Sequence, residues 1–183
     1  DVEELIKELE RRLRKLLEDS RRLLEESRRE HKKLIDDSRR LLDELRRRLE
    51  RLLEKVRRRG ASESKVERIE RRLRDLLRRL REVHERSKEN SKRDIERLER
   101  VHDESRKEIK ELLDELREMS KMSRREVIEA VIRKAEDIIR RLRRKNEKAV
   151  EESRENIKEI KRENKRVIDE AREIIKRLEE ELE

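Results

Sequence analysis

Two Val-His-x-x-Ser units, Val83-His84-x-x-Ser87 and Val101-His102-x-x-Ser105, stand 18 residues apart near the middle of the chain. Imidazole beside hydroxyl suggests two chemistries. One is metal ligation by His31, His84, His102 and Asp94; the other is nucleophilic catalysis by a Ser-His-Asp set. Eighteen residues are five α-helical turns, so the two units face the same way about 27 Å apart. On the first helix, the polar levels at Ser20, His31 and Ser38 are separated by roughly 16 and 10 Å. Zinc ligands must converge to about 2 Å from the ion, so no two histidines share a metal. In His102-Asp103-x-Ser105 adjacent side chains diverge around a helix. A triad also needs an oxyanion hole and substrate access, which a chain with one Gly and no Pro is poorly equipped to build. The expectation is a non-enzyme with no catalytic residue, no cofactor and no metal.

The elements that must carry these residues are helices. Charged residues make up 60% of the 183 positions, hydrophobic ones 30%, and Phe, Tyr, Trp, Pro and Cys are absent. High charge with few aromatics ordinarily signals disorder, but here the apolar residues recur at helical spacing. From Val2 the series 2, 6, 9, 13, 16, 20, 23, 27, 31, 34, 38, 41, 45, 49, 52, 56 has a mean step of 3.6. A strict heptad averages about 3.5 and forces a supercoil; two extra four-residue steps, from 27 to 31 and from 45 to 49, restore the straight-helix period. Without Cys there is no disulfide or thiolate chemistry from which to infer a redox compartment.

Helices are expected over 2–58, 65–119 and 124–182, with turns at 59–64 and 120–123. Gly60 follows Arg57-Arg58-Arg59, a glycine stop after a basic last turn. Ser62 or Ser64 then caps the next helix, with Ser64-x-x-Glu67 spaced as a capping box. The second turn lacks glycine; Ser123-x-x-Glu126 is box-spaced, and Met122 with Val127 has staple spacing. Three helices of nearly equal length with short turns lie antiparallel. The fold class is all-α: a single-chain, up-down-up three-helix bundle of long, nearly straight helices, read as one domain over 1–183.

Pairing Val56 with Val66 makes facing indices of the first two helices add to 122. Ser20 then faces His102, His31 faces Ser91, and Ser38 faces His84. Pairing Met119 with Val127 gives a sum of 246 for the second and third helices. Three cross-sections follow: Ser20, His102, Ser105 and Asn146; Ser27, His31, Ser91, Asp94, Ser153 and Asn156, with Asn90 at the edge; and Ser38, His84, Ser87 and Asn164. A buried polar group left unpaired costs about 1–3 kcal/mol. Such layers therefore penalise a slipped register, while the intervening Leu, Ile and Val supply stability.

The 18-residue register, the Ser/His/Asn layers, the Arg/Lys/Glu surfaces and the box-spaced turns resemble those of de novo designed helical bundles with buried hydrogen-bond networks. The likeness spans the whole chain. It implies a structural scaffold without inherited activity, or one component of a designed homo- or hetero-oligomer, or a cage that accepts a partner helix.

The net charge of +9 favours contact with polyanions. Residues 46–59 carry 8 basic and 2 acidic groups, and residues 65–81 carry 8 and 3. The interleaved acids and the absence of stacking aromatics argue against specific nucleic-acid recognition. No apolar run is long enough to span a membrane, the apolar stripe is needed to close the bundle, and no targeting signal is legible. No partner is required; adjacent apolar pairs such as Leu16-Leu17 leave room for self-association or a partner helix. A neutral buried His84 or His102 should weaken the fold in acid, whereas Asp94 beside His31 would favour the charged imidazole.

Overall fold

Each helix is amphipathic on a 3.6-residue period, so its apolar stripe can be buried only against other helices. The computed structural model describes residues 2–60, 62–121 and 124–181. They form α1 (Val2–Arg58), α2 (Glu63–Met119) and α3 (Arg125–Glu181), an all-α three-helix bundle with no strand among the described residues.

Helix ends follow local chemistry. Past the end of α1, Gly60 adopts φ 64°, which costs glycine little because it has no Cβ. The Arg59 N–H donates to the Lys55 carbonyl at 3.2 Å and the Gly60 N–H to Arg57 at 3.4 Å. The Ser62 carbonyl accepts from both Lys65 and Val66 at 3.0 Å, so Ser62 is the cap. Ser64 lies inside α2, and the alternative Ser64-x-x-Glu67 box is not used. Without a glycine, α2 ends with the Ser120 hydroxyl donating to the Arg117 carbonyl at 2.7 Å. Ser123, Met122 and Leu182 lie outside the described residues; at the start of α3 the Arg124 carbonyl accepts from Ile128.

The chain divides into two compact units, Asp1–Arg29 with Arg93–Glu155, and Glu30–Lys92 with Asn156–Glu183. Within the first, α1–α2 contacts run 20 with 102 and 28 with 99, and α2–α3 ion pairs run 97 with 152, 104 with 145 and 115 with 134. Rising indices meet falling ones, so α2 is antiparallel to its neighbours. Its main core joins Leu13 and Leu16 to Ile109, Leu112 and Leu116 and to Ile139 and Leu142. Leu24, Leu98 and Ala149 form a smaller one.

Within the second unit, 38 meets 84, 57 meets 70, 79 meets 170 and 48 meets 179, so α2 again runs against α1 and α3. Its core joins Leu45, Leu49, Leu52 and Val56 to Leu73, Leu76 and Leu80 and to Ala171, Ile175 and Leu178. The α2–α3 register differs from the expected sum of 246. Ser87 with Asn164 gives 251 and Asp94 with Ser153 gives 247.

Candidate functional site

Polar residues occupy stripe positions that would otherwise hold aliphatics. All of the expected layer residues are buried except His102 and Asn156, which are half-buried; Asn90 is exposed and outside any layer.

In the first unit, the Ser20 Oγ and His102 Nδ1 lie 2.8 Å apart across α1 and α2. Asn146 does not complete this level: its side chain makes no hydrogen bond among the described residues. Ser105, 0% exposed, leaves its Oγ without a partner. The other polar level is a directed chain. Ser153 donates to Asp94 Oδ2 at 2.6 Å, which uses its only hydroxyl hydrogen. Ser27, 2.9 Å from the Ser153 Oγ, must therefore donate to it. Arg97 Nη2 donates to Asp94 Oδ1 at 2.9 Å, and Nη1 to Glu152 Oε2 at 2.8 Å. A buried carboxylate is costly unless paired and hydrogen-bonded; Arg97 and Ser153 provide both. Sequence reasoning overlooked Arg97. Its signal was the Asp94-x-x-Arg97 spacing, which puts the guanidinium one turn along the same face.

In the second unit, His31, 1% exposed, places its Nδ1 2.9 Å from the Ser91 Oγ. The Ser38 Oγ lies 2.9 Å from the His84 Nδ1. Ser87 donates towards Asn164 Oδ1 at 2.6 Å and towards its own helix at the Val83 carbonyl at 2.9 Å, so one hydrogen is shared between two acceptors. Asn156, half-buried on α3, also belongs to this unit.

Each histidine therefore meets a serine hydroxyl on the facing helix through Nδ1. Burial pushes His84 and His102 below the ordinary imidazole value. For His84 the nearby Lys88 and Arg39 act in the same direction, against Glu85 and Asp43. For His102, Asp103 opposes the shift and Arg106, Arg21 and Arg28 reinforce it. Both rings are thus biased towards the neutral form, which has one donor and one acceptor nitrogen and so can bond a hydroxyl in either sense.

Among the described residues no group of three or more His, Cys, Asp or Glu is placed to hold a metal ion, and no helix is long and apolar enough to cross a membrane. What the geometry can do is couple helices: its bonds join α1 to α2, α2 to α3 and, through Ser27 and Ser153, α1 to α3. Compared with protein-family models, with curated proteins and with solved structures, the chain matches none.

Proposed function

We propose that this chain is a de novo designed scaffold, without catalytic or cofactor-binding activity, whose buried Ser, His, Asn and Asp bonds fix the register and pairing of its helices. The observation that carries this reading is a repeated pairing. Residues 20 and 102, 31 and 91, and 38 and 84 each add to 122, and each pair is a histidine bonded to a serine on the facing helix. Aliphatic side chains would tolerate a slip of one turn with modest repacking. A slip here would orphan several groups, each costing about 1–3 kcal/mol.

The test replaces Ser38, His84, Ser87 and Asn164 together with aliphatic residues. The protein contains no cysteine, so Arg40→Cys and Arg81→Cys, both at exposed positions of the same unit, accept spin labels cleanly. The parent should give one narrow α1–α2 distance. The apolar variant should melt no lower, because buried polar groups add little net stability, yet give a broadened or multiple distance distribution. An unchanged single distance in the variant would remove the register role.

A second reading, as a component of a larger assembly, is favoured by the unbonded amide of Asn146.

A further inference from the structure

The two compact units divide the charge of the chain unequally. The first carries 28 basic and 27 acidic residues, the second 31 and 23. Almost all of the net charge of +9 therefore sits on the second unit. Within it the excess belongs to two helices. There α1 carries 8 basic and 2 acidic groups over 46–59, α2 carries 8 and 3 over 65–81, and α3 carries 5 and 7 over 165–183. The ion pair of Arg57 with Glu70 sets the two basic stretches side by side.

Much of this charge is unanswered. Arg47, Arg71, Arg74 and Arg81 are exposed and form no ion pair among the described residues. Arg46 and Arg78 reach only acids of their own helix, Asp43 at 3.7 Å and Asp75 at 3.6 Å. Positions 71, 74, 78 and 81 follow one another at steps of three and four, so they form a row along one face of α2, about 15 Å long. The register that pairs Ser38 with His84 brings Arg47 of α1 level with Arg74 to within one residue. Glu50, Glu54 and Glu67 are interleaved, but basic groups outnumber acidic ones about three to one across the two stretches.

The chemistry of the row selects its partner. Fourteen of the sixteen basic residues in the two stretches are Arg, whose planar fork matches two oxygens of one phosphate. A nucleic-acid duplex presents one negative charge per about 1.7 Å of its axis, and each neutralised phosphate releases condensed counterions. A single strand is held largely by stacking its bases on aromatic rings, and the chain has no Phe, Tyr or Trp. From this juxtaposition we infer that the α1–α2 face of the second unit, around Arg47, Arg71, Arg74 and Arg81, binds the phosphate backbone of double-stranded nucleic acid. Phosphate contacts carry no sequence information, so the binding is independent of sequence. The inference is separate from the register-fixing role, and its failure leaves that role standing.

The test is fluorescence anisotropy of a labelled DNA duplex of about 20 base pairs, titrated with the full chain between about 50 and 200 mM salt. The logarithm of the association constant should fall linearly with the logarithm of salt concentration, with a slope of roughly −4 to −5, as for about five neutralised phosphates. Two duplexes of unrelated sequence should bind alike, and a single strand of the same length more weakly. The quadruple variant Arg47→Gln, Arg71→Gln, Arg74→Gln, Arg81→Gln should bind at least tenfold more weakly at the lowest salt, with a slope shallower by about 3. Its control is Arg14→Gln, Arg100→Gln, Arg106→Gln, Arg117→Gln, which removes the same charge from exposed positions of the first unit and should stay within about threefold of the parent. Glutamine is a good helix former, and circular dichroism of both variants controls for folding. Equal losses in the two variants would reduce the effect to net charge and overturn the proposal. So would no binding at the lowest salt, a single strand bound as tightly as the duplex, or retention of a sulfated polysaccharide but not of the duplex.

Discussion

Ser87 and Ser105 occupy equivalent steps of the 18-residue repeat, yet their hydroxyls have opposite energetics. Ser87 bonds Asn164 and the Val83 carbonyl, whereas the fully buried Ser105 bonds nothing. Removing an orphaned hydroxyl relieves its desolvation penalty; removing a bonded one strands its partner. Ser105→Ala should therefore raise unfolding stability by about 1 kcal/mol, and Ser87→Ala should lower it by about 1–3 kcal/mol. The helix propensity gained by alanine is common to both, so the difference between two urea titrations isolates the hydrogen bonds. Histidine acts at the same scale through protons. His84 and His102 have folded pKa values below the ordinary 6.5, mainly from burial. The unfolded chain then binds protons first as pH falls, so this contribution to stability is full above about 6.5 and is lost as pH drops through that value towards and past the lowered folded ones. The depressed carboxyls of Glu104 and Glu179 act in a lower window, below their ordinary 4.5. Denaturation midpoints should accordingly fall between pH 7.5 and pH 5, and the double variant His84→Leu, His102→Leu should flatten that fall. Equal midpoints for the parent at the two pH values would contradict the assignment.

At the scale of elements, the two turns solve one problem with different residues. The carbonyls at the end of α1 are handled by a left-handed glycine, and those at the end of α2 by the Ser120 hydroxyl. A Cβ at Gly60 would meet no atom within 4 Å, so the cost of replacing it is purely conformational. Gly60→Ala should destabilise by about 1–2 kcal/mol, the penalty of a left-handed L-residue, while Gly60→Asn should cost less because asparagine tolerates that region. Thermal melts of the two variants against the parent check the order. An alanine variant as stable as the parent would mean that the turn relaxes to a negative φ.

At the scale of the molecule, polar levels interrupt the apolar core. In the first unit the main cluster ends at Leu16 on α1, and a small one resumes at Leu24 beyond Ser20. On the proposed reading, the apolar levels drive collapse and the polar levels restrict which collapsed arrangement is acceptable. That division predicts the outcome of the aliphatic replacement: melting unchanged or higher, register less unique.

The all-α bundle was legible because a 3.6-residue apolar period and one glycine act locally, within a few turns of the chain. The α1–α2 pairings were legible for a related reason: Gly60 sets the turn, and register then propagates residue by residue from Val56 and Val66 to His31 and Ser91. The α2–α3 sum was legible only approximately: the pairs that form add to 247 and 251 in place of 246. The fates of Arg97, Ser105 and Asn146 were not legible. Asparagine at 146 and 164 is the same residue at the same repeat position, yet one amide bonds a serine and the other faces a groove. Whether a polar group is satisfied depends on distances of a few tenths of an ångström between atoms of different helices, and only the packed structure decides those.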